Sequence, residues 1–435
     1  MWWMDEDDMS SVGRKETQAG ELRENTSIFK SAFHVFKANV GTGVFMLPTF
    51  YKDSGYILAP ILGVVIGLIV VDCTHNLLNT KTRINRRDCT TYSQIAHYVF
   101  GPAMAWFLFI ALCLTQFGFC LMYSQLASAT MDNMLEFNTK SHYLWVSLVL
   151  LICFPMTCYS DNLSLLGIGS LIATICVFYA LISCLVQSLM TIHANGGMSK
   201  TCNAKGTNIP VGYFNTLANN MMVLEGIAVV LPVHAACTQK RLMSPMITIV
   251  LICVIAWYLI FGLIGYLAYG TTLTESLVNV MDLSAWGISI RVFFLLNIIL
   301  SYPLQFMSAQ QLIDVIAKCK PRSWVGLGIR LLINLIIWAL AMAMPSSAVN
   351  IVVAFIGALP SCCMVLLIPT MVRLQVDYAC EHPDEPRGSW HYWKMLFTGN
   401  GKPCTFLRAR GLVYFIIGIL IMVIGTYAIV LEYFV

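Results

Sequence analysis

Charge is what this sequence has least of. Only 11% of its 435 residues are Asp, Glu, Lys or Arg, against 58% that are hydrophobic, and so little polar surface cannot cover a soluble globule. A formal net charge of +4 gives no support to nucleic-acid binding. Metal-ligand spacing is missing as well. Most of the 16 cysteines fall in apolar segments, among them Cys73, Cys113, Cys120, Cys153, Cys176, Cys253 and the adjacent pair Cys362 and Cys363, where thiols behave as small hydrophobes. On the outer loops only Cys202 reads as exposed, so no outer disulfide is expected. No nucleophile and base pair emerges, which argues against an enzyme, and no cofactor is expected. The segment Gly41-Thr-Gly43 has Met at position 46 rather than a third glycine, and no strand precedes it, so it is not a dinucleotide loop. Met1-Trp-Trp-Met4 is too short for a secretory signal.

What the chain has is long apolar runs. Stretches of about 17 to 30 residues, long enough to span a bilayer, occur at 31–51, 55–79, 103–132, 144–160, 163–192, 211–235, 245–270, 287–316, 325–345, 347–373 and 411–433. The expectation is an all-α polytopic membrane protein with eleven transmembrane helices. Residues 1–30, with seven acidic side chains, read as a disordered tail, and residues 374–410 as a loop on the same side. Lys and Arg in alternate loops number nineteen on the side of the tail and four on the other, with Lys37, Arg291 and Arg330 inside spans. That bias places the N-terminus in the cytosol and, with eleven spans, the C-terminus on the extracellular or lumenal face. The sequons at Asn25 and Asn162 then lie on the cytosolic side and read as chance matches.

Two stretches are wrong for plain membrane helices. In His34-Val-Phe-Lys37-Ala-Asn39-Val-Gly41-Thr42-Gly43-Val-Phe-Met-Leu-Pro48, glycines and a proline free backbone groups at membrane depth, which a bilayer tolerates only where protein buries them or they line a polar cavity. In Asn219-Asn220-Met-Met-Val-Leu224-Glu225-Gly226-Ile-Ala-Val-Val-Leu-Pro232, a mid-span carboxylate costs at least ~2.5–3.5 kcal/mol unless it is neutral, paired or facing a wet cavity. The breaks open span 1 and span 6. By position alone, with no residue-level similarity between the halves, they read as the first helices of two five-helix repeats, 31–192 and 211–373, and an odd number of helices would invert the second repeat. Broken helices at matching positions of inverted repeats point to a midplane transport site. His34 lies two turns below Gly41, as either a helix-interface group or one that gains and loses a proton. Lys37 reads as snorkelling or paired with an acid. Gln116 and Tyr123 in span 3 and Tyr302 and Gln305 in span 8 are candidate lining residues, while Asp72 and Asp314 read as interfacial.

These two motifs, with Gln116-Phe-Gly-Phe-Cys-Leu-Met-Tyr123, Tyr302-Pro-Leu-Gln-Phe306 and Phe355-Ile-Gly-Ala358 in weaker support, resemble the amino acid/auxin permease family, and within it the proton-coupled amino acid transporter branch. The resemblance implies a LeuT-like five-plus-five inverted-repeat fold with an eleventh helix and broken helices 1 and 6. It also implies symport of small neutral amino acids with protons. By motif position, Val40, Gly41, Thr42 and Gly43 would meet the substrate, Leu224, Glu225 and Gly226 would border the unwound part of helix 6, and His34 would take the place of the branch's helix-1 histidine in proton coupling, with Glu225 as a second proton carrier. Ala38, His234 and Pro303 depart from the family pattern. The alternatives are sodium-coupled amino acid transport and an amino acid receptor with little flux. Either the plasma membrane or the lysosome or endosome fits; the oligomeric state is left open.

Overall fold

The computed structural model describes residues 27–84, 91–135, 141–159, 163–206, 211–345, 348–381 and 406–434. The acidic tail through residue 26, both sequons and the turn at Asp161-Asn162 lie outside the described residues. All the elements are helices: α1 Ile28–Asn39, α2 Leu47–Ile84, α3 Tyr92–Phe100, α4 Pro102–Leu135, α5 Ser141–Cys158, α6 Leu163–Ala194, α7 Val211–Val223, α8 Ile227–Ala236, α9 Met243–Tyr269, α10 Ala285–Ile316, α11 Trp324–Ala343, α12 Val349–Ile356, α13 Ile368–Glu381 and α14 Phe406–Phe434. Between α12 and α13 the helix widens into two π segments, Gly357–Ser361 and Cys363–Leu367. Helices are the form these apolar runs must take, since each satisfies its backbone groups internally.

Among the described residues, nine helical stretches are long and apolar enough to cross a membrane, and α5 is a shorter apolar helix. The difference from eleven has a local cause. The expected first span is not one helix: it divides into α1, a 3₁₀ turn at Thr42–Met46 and the first limb of α2. At Gly55, with φ of +76°, a kink separates this limb from the second. A Cβ there would also sit 2.5 Å from the carbonyl oxygen of Ala204. That contact belongs to a strap before α7, where Asn203 accepts from the Tyr56 amide at 3.1 Å and Ser199 donates to the Leu267 carbonyl at 2.8 Å. The strap corrects one expectation: Cys202 is half-buried, with Sγ 3.3 Å from the Tyr266 carbonyl oxygen.

Two further differences concern loops. Helix α3 stands where a loop is expected, and a capping box starts it, with Thr91 Oγ1 accepting from the Gln94 amide and Gln94 accepting from the Thr91 amide. Helix α13 continues to Glu381, inside the expected loop 374–410.

Packing draws α2 against α7 and α9, and α10 against α4 and α6. Ions lock the ends of these helices. Asp314, near the end of α10, is buried rather than solvated and takes a two-pronged contact from Arg330, at 2.6 and 3.2 Å, with Gln310 donating at 2.8 Å. Asp72 pairs with Arg410 of α14 at 2.9 Å, and both side chains are about a quarter exposed (26% and 25%). Arg291 is buried and donates to the carbonyls of Asn279, Met281 and Asp282. It pins a 3₁₀ turn, Leu277–Val280, whose Leu277 and Val278 are fully buried.

These two ion pairs should differ in weight. Asp314→Asn leaves the Arg330 charge without its partner in the interior, at a cost of about 3–5 kcal/mol, whereas Asp72→Asn in a half-solvated pair costs about 1 kcal/mol or less. Thermal unfolding of the two detergent-purified variants should show a clearly larger loss for Asp314→Asn; equal losses would contradict the assignment.

Candidate functional site

The break after α1 is built from its own residues. Val40 (φ −94°, ψ 98°) and Gly41 (φ −134°, ψ −163°) are extended, so α1 stops at Asn39 and the helix resumes as the 3₁₀ turn from Thr42. The first amides of a new helix have no partner within it, which leaves those of Gly41, Thr42 and Gly43 outside the helical ladder. A Cβ on Gly41 would meet nothing within 4 Å, so open space adjoins this backbone, and a Cβ on Gly43 would lie 3.6 Å from the Met222 and Val223 side chains. The second break falls where expected, between α7 and α8, and spans Leu224, Glu225 and Gly226.

The two breaks touch. A Cβ on Gly226 would lie 2.3 Å from Asn39 Nδ2, so only glycine allows this approach. Asn39 Nδ2 donates back to the Val35 carbonyl at 2.8 Å, closing the end of α1. Tyr258 of α9 then spans both halves, donating to the Asn39 carbonyl and lying 3.4 Å from the Val223 carbonyl oxygen.

Two polar clusters flank the contact. In one, Asn297 donates to Thr42 Oγ1 at 3.0 Å, and the Tyr123 hydroxyl is within hydrogen-bond reach of Thr42 and Gln305. In the other, Ser361 of the first π segment donates to the Glu225 carboxylate, and the Thr115 hydroxyl is within hydrogen-bond reach of the same carboxylate. Gly41, Gly43, Glu225, Ser301 and Gln305 are partly accessible, whereas Thr42, Tyr123 and Asn297 are buried. Among the described residues Glu225 is thus neither isolated nor a member of an ion pair; the Ser361 hydroxyl holds it.

The expected residues divide accordingly. Val40, Gly41, Thr42, Gly43, Leu224, Glu225 and Gly226 lie at the paired breaks, and Tyr123 and Gln305 join them through Thr42. His34 sits seven residues before Gly41 on α1, about 10 Å along the helix, half-buried and without a hydrogen-bond partner among the described residues. Gln116 is partly accessible, and its Oε1 has no hydrogen-bond partner. Tyr302 is a correction: it is buried, and its hydroxyl donates to Asn334 Oδ1 of α11 at 2.9 Å, away from the breaks. Lys37 is another, since it donates to the carbonyl and hydroxyl of Ser170 on α6 rather than to an acid. Sequence reasoning passed over Thr115, Tyr258, Asn297 and Ser361. Their only signal is polarity inside an apolar span.

Residues 24–431 match a family model described as transmembrane amino acid transporter protein. Among relatives, Vacuolar amino acid transporter 3 of Saccharomyces cerevisiae is 23% identical over 307 residues, 68% of this chain but 43% of that protein, so the match spans less than half its length. Amino acid transporter AVT3A of Arabidopsis thaliana is 24% identical over 80% of this chain and 81% of its own. Proton-coupled amino acid transporter-like protein pathetic of Drosophila melanogaster is 23% identical over 86% and 82%. Among solved structures, that of Mhp1, a nucleobase-cation-symport-1 family transporter in a closed conformation with bromovinylhydantoin bound, is similar with a TM-score of 0.53 and 12% identity, covering 94% of this chain and 93% of that one. This is a likeness of fold alone.

The Gly226 contact makes a stringent prediction. Gly226→Ala drives a methyl group into Asn39 and should lower stability by about 1–3 kcal/mol, and Asn39→Ala should cost stability by itself. The double variant should be more stable than the sum of the two losses implies, because removing the Asn39 side chain clears the space for the methyl group. Unfolding temperatures of the three variants test this; strict additivity would show that the breaks do not bear on one another.

Proposed function

The chain belongs to the transmembrane amino acid transporter family, and from that membership and the contact between its two helix breaks we propose that it moves small neutral amino acids together with protons by alternating access. The observation that carries the reading is the meeting of two broken helices at Asn39 and Gly226, beside open space at Gly41. An amino acid zwitterion needs donors for its carboxylate and acceptors for its ammonium, with no net charge in the pocket. The amides of Gly41, Thr42 and Gly43 at the start of a new helix supply the donors, and the helix dipole adds to their pull on an anion. Carbonyls of the Leu224 to Gly226 break and the Glu225 carboxylate supply the acceptors.

The rest of the proposal follows the same lines. Eleven spans, formed as two inverted repeats of five and a last helix, fit the split of the first span into α1 and the limb of α2. An N-terminus in the cytosol follows from the uneven Lys and Arg loops. The relatives named as vacuolar transporters favour an internal acidic compartment, from which protons drive amino acids to the cytosol. Glu225 is the proton carrier we favour, with His34 as a second group nearer the cytosol. A proton on Glu225 changes what Ser361 can do: its hydroxyl donates to a carboxylate but faces a donor when the acid is neutral. Protonation thereby alters the hold of the second break on the π-helical stretch, a differential interaction of the kind that shifts a two-state equilibrium.

Uptake into proteoliposomes with an imposed pH gradient tests the function. Small neutral amino acids should accumulate when the side they leave is acidic, and the acid stimulation should vanish in Glu225→Gln or His34→Ala while protein insertion is unchanged. Full pH dependence in both variants would remove these residues from coupling. Ser361→Ala takes a donor from the Glu225 carboxylate. The pH of half-maximal uptake should then rise by about one unit, as expected for loss of a hydrogen bond to a charged group, and Ser361→Thr should restore it.

A further inference from the structure

Helix α1 ends at Asn39 and helix α7 at Val223, so the carbonyl ends of two half-helices come to one place. Each such end carries about half a negative charge. Where transport helices are broken, half-helix C-terminal ends and unwound carbonyls are the groups that coordinate a driving cation. In this protein the two ends instead meet the hydroxyl of Tyr258, which donates to the Asn39 carbonyl and lies 3.4 Å from that of Val223. Tyr258 is buried, and Asn39 adds a further oxygen at the junction: its Oδ1 is buried and without a hydrogen-bond partner. The junction is thus rich in oxygen and poor in protons, with the Tyr258 hydroxyl reaching both backbone carbonyls.

We propose that the Tyr258 hydroxyl is a built-in substitute for a monovalent cation, joining the two half-helix ends and making the protein indifferent to sodium. The assignment deepens the reading of a proton as coupling ion. A hydroxyl brings partial positive charge to both carbonyls without having to be stripped of water or returned to it, so the two breaks stay joined whatever the sodium concentration. Space beside it favours a clean exchange of one for the other. The Tyr258 ring borders a cavity of about 10 Å³, together with Tyr51, Gly63, Asn220 and Leu224, which is room for one water. Deleting the hydroxyl leaves the two carbonyls without their donor, and a small cation could then take its place.

Melting of the purified full-length protein in detergent, in sodium chloride or in choline chloride of equal ionic strength, tests this without requiring transport. Its outcome is therefore separate from whether amino acids are the cargo. The wild-type protein should melt at one temperature in both salts. Tyr258→Phe should melt several degrees lower in choline and recover part of that loss in sodium, and its uptake in proteoliposomes should become several-fold greater with sodium than with choline. A sodium response in the wild type, or none in a folded Tyr258→Phe, overturns the assignment. Should Tyr258→Phe fail to fold, Tyr258→His decides: it keeps a donor and is expected to fold and to ignore sodium, so failure to fold or a sodium response in that variant also overturns the proposal.

Discussion

A backbone carbonyl or amide released inside a bilayer must find a partner in the protein, and the centre of this molecule answers that constraint. Two helices stop within the apolar layer, at Asn39 and at Val223, and neither end meets lipid. The side chain of Asn39 closes its own last turn through Val35, Tyr258 takes the carbonyls beyond it, and Gly226 omits the Cβ that would hold the breaks apart. The amides on the other side of the first break stay open beside Gly41. Two backbone acceptors are thus taken up by Tyr258, while the amides of the first break and the Glu225 carboxylate at the second remain for a ligand that carries both an anionic and a cationic group.

The remaining polar groups are layered about this junction. Thr115 and Tyr123 both lie on α4, eight residues and so about 12 Å apart along its axis. Tyr123 reaches Thr42 at the first break, and Thr115 reaches Glu225 at the second. One helix therefore borders both breaks, about two turns apart. Ser361 ties the deeper level to the π-helical stretch of the chain. A π segment leaves its ladder with altered hydrogen bonds, and such segments recur at functional positions. Changes at Glu225 have a mechanical outlet there that a regular helix would not offer.

Some of this was legible in the residues and some was not, for identifiable reasons. The breaks show in sequence because glycine, proline and a carboxylate are out of place in an apolar run, and that signal needs no partner to be read. Asp314 and Tyr302 mislead for the opposite reason. Each looks like an end-of-helix acid or a lining aromatic until Arg330 and Asn334, sixteen and thirty-two residues later, are brought against it. Tyr258 is harder still: inside Trp257-Tyr258-Leu-Ile-Phe261 it reads as another bulky core residue, and only the carbonyls of two other helices give its hydroxyl a purpose. Helix α3 is a different kind of omission, since the Thr91 and Gln94 capping pair was present in the sequence and simply lies outside any apolar span.

The two ends of the helix bundle are closed by different physics, and this bears on which opens more readily. At the end where α1 begins, Arg83 reaches Asp377 at 2.6 Å and Arg410 reaches Asp72 at 2.9 Å, but the Arg83 side chain is 48% exposed. Such pairs are weak and screened by salt. At the opposite end, buried Arg291 grips backbone carbonyls behind the plugging Leu277 and Val278, Thr130 holds Asn279 at 3.0 Å, and Lys52 donates to Leu273 at 2.8 Å. Opening that end exposes apolar side chains and strips a buried guanidinium of its acceptors together. Parting α2 from α13 and α14 at the first end exchanges partly exposed ion pairs for water and leaves the buried Asp314 and Arg330 pair, which joins α10 to α11, in place. By this comparison the end held by ion pairs is the easier one to open. In such a bundle the free energy needed to reverse access must come from the bound ligand and its proton.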